Sequence, residues 1–127
     1  MERVTGIGGV FFKAKDVKAM AAWYQQHLGI PFGDGSYFSF KWVNENNPEV
    51  PGQTVFSFFK NDSNYFAPSE KPFMINFRVK DLDALMTTLK EEGVETVGEV
   101  QNYDGMGKFG WIVDPEGNKV ELWEPAE

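Results

Sequence analysis

Val10-Phe-Phe-Lys-Ala-Lys-Asp-Val17 and Ile75-Asn-Phe-Arg-Val-Lys-Asp-Leu82 are two versions of one passage, with their aspartates 65 positions apart (81 − 16). The same offset carries Thr54-Val-Phe-Ser-Phe-Phe59 onto Lys119-Val-Glu-Leu-Trp-Glu124. A chain that repeats half its length is expected to fold as two copies of one supersecondary unit. Equivalent positions should then meet across a pseudo-twofold axis, which marks where a central site would be built.

Each copy reads the same way. A strand rich in Phe, Val and Ile is expected at about 7–14 and again at 73–79. Asp16 then caps a helix whose apolar stripe is Val17, Met20, Ala21, Tyr24 and Leu28, ended by Gly29. Asp81 caps the second, with stripe Leu82, Leu85, Met86 and Leu89 and its stop at Gly93. Further strands are expected at Tyr37 to Val43 and Thr54 to Lys60, separated by a turn-rich loop over 44–52. The second copy has them near Val94 to Val100, at Phe109 to Val113 and at Lys119 to Glu124. Asp114-Pro-Glu-Gly-Asn118 has the residues of a type I turn closed by a glycine bulge. Asn61 to Pro72 reads as the linker. The expectation is an α+β chain of two tandem β-α-β-β-β modules, at about 4–60 and 73–125. Together they form an open curved sheet, a half-barrel with the helices outside.

Composition narrows the function. The chain has 127 residues, 42% of them apolar, with 12 Phe and 4 Trp, enough for one packed domain. Net charge is −7 and no basic stripe offsets it, so a nucleic-acid partner is not expected. No apolar run approaches the roughly 20 residues of a membrane span. Met1-Glu-Arg-Val-Thr-Gly6 lacks the basic and then apolar regions of a secretory signal, so a cytoplasmic location is expected. Cysteine is absent, which removes disulfides and thiolate metal sites. The lone His27 is expected on solvent near a helix C-terminus. The Gly-rich Asp104 to Gly110 lacks the strand-then-helix context of a phosphate loop and reads as a rim loop.

The internal repeat, the Lys15-Asp-Val start of the first helix, its Tyr24 to Leu28-Gly29 end, and above all Asp114-Pro-Glu-Gly-Asn-Lys-Val-Glu-Leu-Trp-Glu-Pro125 resemble the vicinal oxygen chelate superfamily. That superfamily includes glyoxalase I, extradiol dioxygenases and bleomycin-resistance proteins. The resemblance covers nearly the whole chain, 1–127, as a single glyoxalase/bleomycin-resistance-like domain. It implies a site in the concavity, and for metalloenzyme members a divalent ion held at the positions that are Gly9, Phe56, Met74 and Glu121 here. Only Glu121 among these suits a hard or borderline ion, so neither a metal nor another cofactor is expected.

Strand alternation from Glu121 places Trp123 and Lys119 in the concavity, and by the repeat also Phe11, Lys13, Thr54, Phe56, Phe58, Met74, Asn76 and Arg78. The expected ligand-binding set is thus Phe11, Phe56, Phe58, Met74, Asn76, Arg78, Glu121 and Trp123, with no catalytic residue assigned. Three functions compete. One is metal-free binding of an aromatic or cationic small molecule, as the bleomycin-resistance resemblance implies. Another is a metal-dependent glyoxalase-like lyase, epimerase or dioxygenase. The third is a non-catalytic interaction module whose pocket is filled by its own side chains. A homodimer is expected, because such modules leave sheet edges that invite pairing.

Overall fold

The computed structural model describes residues 3–45 and 47–126; Asn46, within the turn-rich loop expected at 44–52, lies outside them. The first half holds β1 (Val4–Ala14), α1 (Val17–Leu28), β2 (Tyr37–Trp42) and β3 (Gly52–Lys60). The second holds β4 (Phe73–Val79), α2 (Leu82–Glu91), β5 (Glu95–Thr96), β6 (Gln101–Tyr103), β7 (Gly107–Val113) and β8 (Lys119–Pro125). All eight strands belong to one open sheet in the order β2-β3-β1-β4-β8-β7-β5, with β6 paired to β7. The two halves meet where β1 runs antiparallel to β4, and each of those strands has a parallel partner, β3 and β8 respectively.

The caps explain why both helices begin where they do. Asp16 Oδ1 accepts from the Ala19 N–H at 3.0 Å, and Asp81 Oδ1 accepts from the Ala84 N–H at 3.1 Å. Glu124 adds a third-party cap to α2, its Oε1 accepting from the Leu82 N–H at 2.9 Å. Gly29 closes α1 with a φ of 70°. Leu82, Leu85, Met86 and Leu89 bury themselves against Val79 and Leu122, as the stripe requires. On α1, Val17, Met20, Ala21 and Tyr24 pack inward, whereas Leu28 stays exposed and so does not belong to that stripe. His27 is exposed, and its ring lies 4.9 Å from that of Trp23.

The turn between β7 and β8 is held by one side chain. Asp114 Oδ1 accepts from the N–H groups of Glu116 and Asn118, both at 2.9 Å, and Oδ2 accepts from Asn118 Nδ2 at 2.8 Å. Gly117 supplies the positive φ of 82° that the turn needs. These bonds hold the Asp114 carboxyl below the ordinary aspartate range, the Asn118 side chain contributing most.

The structure corrects the face expected for β3. Phe56 and Phe58 do not enter the concavity. They pack under α1 with Tyr24 and Phe32, Phe58 fully buried and Phe56 partly so. Residues 53, 55, 57 and 59 face the concavity instead, so the placement of Thr54 there, made on the same parity, falls too. Strand pairing shows the cause. Val10 pairs with Phe56 and Ile75 with Val120, so the offset is 65 between the central strands (75 − 10) but 64 between their parallel partners (120 − 56). A slip of one residue turns every side chain of a strand to the opposite face. The mate of Glu121 is therefore Ser57, and Phe56 lies across the sheet from it.

Candidate functional site

The concavity holds a cleft of about 540 Å³, its floor made by the central strands. Of the eight residues expected to bind a ligand, Phe11, Asn76, Glu121 and Trp123 line it. Phe56 and Phe58 are excluded by the slip in β3. Met74 shares the concave face but is sealed beneath Phe11 and Phe66. Arg78 is also covered, its guanidinium lying 5.5 Å from the Trp42 ring and 5.3 Å from the Trp123 ring.

Sequence reasoning missed two residues of the linker. Tyr65 and Phe66 fold back into the concavity between the halves, and Phe66 is 0% exposed. An adjacent aromatic pair in an otherwise polar stretch, Asn61 to Pro72, was the available signal, because solvated linkers seldom carry such rings. It also missed the far wall. Tyr103 and Phe109 lie at 5.6 Å, and Phe109 stacks on Trp123 at 5.8 Å with 6° between the planes. The Gly-rich rim is the tight end of the β6–β7 hairpin and brings Gly105 and Met106 to the mouth. Trp123 Nε1 donates to the Met106 carbonyl at 2.8 Å, fixing rim to wall.

Glu121 is the only charged side chain among the described residues lining the cleft, and it is 2% exposed. A carboxylate so placed must be compensated, and three neutral donors do it. Tyr65 Oη and Trp111 Nε1 (2.8 Å) both donate to Oε2, and Asn76 Nδ2 donates to Oε1 at 2.6 Å. Lys119 comes from the same strand on the same face, donates to the Tyr65 carbonyl at 2.7 Å, and has its ammonium over the Tyr65 and Trp111 rings. Burial pushes its pKa down, while Glu121 works against that shift.

Burial first and Glu121 second drive the Tyr65 phenol well above its ordinary value of about 10. For a phenol this means that stability is complete below the unfolded-state value and is lost as pH rises beyond it. In an ultraviolet titration, Tyr65 should therefore stay protonated in alkali until the fold itself opens. Ionisation of Tyr65 with the fold intact would refute this.

The chain belongs to the glyoxalase-like domain family, whose model matches residues 9–123, and so to the vicinal oxygen chelate superfamily. Solved structures share the fold. Methylmalonyl-CoA epimerase from Mycobacterium tuberculosis is 22% identical with a TM-score of 0.62, over 100% of this chain and 92% of that one. A single-substitution variant of Streptomyces coelicolor methylmalonyl-CoA epimerase in complex with 2-nitronate-propionyl-CoA is 16% identical with a TM-score of 0.69, over 98% and 99%. The Mn(II)-bound glyoxalase from Novosphingobium aromaticivorans is 22% identical with a TM-score of 0.62, over 98% of this chain and 40% of that one. No curated protein matches the chain. Among the described residues no helix is long and apolar enough to cross a membrane.

A divalent ion of the kind that glyoxalase holds does not fit the residues present here. With β3 in its observed register, the four positions are Gly9, Ser57, Met74 and Glu121. They offer one carboxylate, one hydroxyl and a soft, buried thioether. No group of three or more His, Cys, Asp or Glu that could hold a metal is found among the described residues. Both oxygens of Glu121 already accept hydrogen bonds, so metal binding would strand three buried or part-buried donors.

Proposed function

We propose that the protein binds a small organic molecule, aromatic and cationic, in the concavity, without a metal and without chemistry on it. The observation carrying this reading is Glu121, at the floor of an aromatic cleft whose lining holds no other charged side chain among the described residues. Stacking walls and one negative charge match an aromatic cation, as sparse polar groups among apolar walls suit an oriented ligand. An acyl-CoA of the kind found in the epimerase complex fits less well. Among the described residues no Lys or Arg lines the cleft to meet its phosphates, and the chain carries a net charge of −7. The bleomycin-resistance-like role of sequestering or carrying such a ligand in the cytoplasm is the reading this favours.

Fluorescence titration of the tryptophans with aromatic cations, bleomycin among them, tests it. Saturable quenching is expected, weakened in Glu121→Gln for cationic probes. Zinc, nickel, manganese and iron(II) should leave the melting temperature unchanged. A stabilising shift with any of these ions would return the metalloenzyme reading, and the absence of binding by every probe would sink this one.

Tyr65 and Phe66 favour a second reading, a pocket filled by its own linker. Against it stands the volume still open beside them, about 540 Å³, enough for a drug-sized ligand. We further propose a homodimer. β2 is an edge strand, and it leaves Tyr37 and Phe40 exposed. Light scattering should give twice the chain's 14.4 kDa; a mass of one chain at micromolar concentration would refute it.

A further inference from the structure

Resting on that binding reading, we propose that Asn76 is the specificity-determining contact of the cleft. Glu121 locks its amide so that the ligand meets an acceptor, and the cleft therefore selects molecules carrying an N–H or O–H donor.

A side-chain amide can present either end, and the surroundings decide which. Here they decide firmly. Glu121 Oε2 is committed to Tyr65 and Trp111, both donors only toward it, and Oε1 faces Asn76 at 2.6 Å. A carboxylate oxygen accepts, so Asn76 must turn Nδ2 toward it. Oδ1 is then left on the other side, in a residue 1% exposed, and it is a buried side-chain acceptor without a hydrogen-bond partner. Buried polar atoms are nearly always paired, so an orphan of this kind marks a place where a partner is to arrive.

The backbone beside it has been cleared. The pairing of β1 with β4 passes from Ile7↔Phe77 to Gly9↔Asn76, so Gly8 is an extra residue in a bulge. A Cβ on Gly8 would lie 2.2 Å from Asn76 Oδ1 and 2.9 Å from the Trp123 ring. Only glycine allows the amide to stand there. Gly8, Asn76 and Trp123 all line the cleft, so an aromatic molecule against Trp123 lies beside the residue that carries Oδ1.

The same hydrogen-bond logic predicts what one substitution does. In Glu121→Gln the side-chain oxygen must stay with Tyr65 and Trp111, which puts the new amide nitrogen opposite Asn76. Asn76 then has to turn its oxygen inward and its Nδ2 toward Gly8, so the contact offered to a ligand changes from acceptor to donor. A residue with a purely structural role would not invert selectivity.

Three neutral bicyclic probes read this out by ligand-observed NMR at pH 8: indole offers a donor, quinoline an acceptor, and 1-methylindole neither. The intact protein should bind indole about tenfold more tightly than 1-methylindole, the step set by one unmade buried hydrogen bond, and should bind quinoline weakly. In Glu121→Gln the preference for indole should vanish and quinoline should become the best of the three. Equal binding of indole and 1-methylindole by the intact protein, or the same order in both proteins, would overturn the role of Asn76 while leaving the cleft as a binding site. Failure of all three neutral probes to bind the intact protein would overturn this inference, while the titration with aromatic cations decides the binding reading itself. A ligand-free measurement stands beside these: cross-relaxation between the Asn76 amide protons and Gly8 Hα should be seen in Glu121→Gln and not in the intact protein. Its presence in both would refute the locked orientation.

Discussion

Phe66→Ala should lower the unfolding free energy by about 3–5 kcal/mol, the cost typical of emptying a fully buried aromatic site. Phe66 is 0% exposed, with Phe59 at 5.1 Å, Phe11 and Met74 beside it, and the Lys13 ammonium over its ring at 5.6 Å. It comes from a segment without regular structure, so a large effect would show that the linker is part of the core. Tyr65 is tied to the same segment and donates to Glu121. Loosening Phe66 should therefore also disturb the carboxylate and weaken binding of the aromatic cations. Urea denaturation followed by tryptophan fluorescence measures the first effect. A loss below about 1 kcal/mol would mean that the linker merely lies over the concavity.

How far the sequence reached depended on whether a residue carried a local signal. Asp16 and Asp81 did: a cap followed by an apolar stripe is decided within a dozen residues, and both helices start where expected. The Asp114 to Asn118 turn was legible for the same reason. Register was not. In β3 the run Val55-Phe-Ser-Phe-Phe59 has large apolar groups on both faces, so it lacks the alternation that would fix which side is in. Only the repeat stands in for that signal. It holds for the central strands but fails by one residue at β3, after a long loop whose length leaves the sheet pairing free. Glu121 and Trp123 lie on the face that alternation gives them because β8 follows the short, well-specified Asp114 to Asn118 turn, and Asn76 does because β4 keeps in step with β8. The partners of Glu121 come from elsewhere in the chain, Tyr65 from the linker and Trp111 from β7. Contacts made only when distant segments meet leave no mark on local sequence. The exception in kind is the aromatic pair Tyr65-Phe66, whose composition did betray it.

That slip can be tested on two adjacent phenylalanines. Phe58 is 3% exposed and packs with Tyr24 and Phe32 at ring distances of 5.2 and 5.4 Å, on the helix side of the sheet. Phe58→Ala should remove about 3–5 kcal/mol of stability. Binding of the aromatic cations by the remaining folded protein should be unchanged, because no part of that ring reaches the cleft. Phe59 is only half-buried, stacks on Tyr65 at 5.5 Å and lines the cleft. Phe59→Ala should cost less stability and weaken binding instead. Stability comes from denaturant unfolding and affinity from titration of the folded state, so the two effects separate cleanly. Were Phe58→Ala the variant that lost binding, β3 would have to carry its even-numbered residues in the concavity. Ser57 would then no longer face Glu121, and the donor count against a metal would have to be made again.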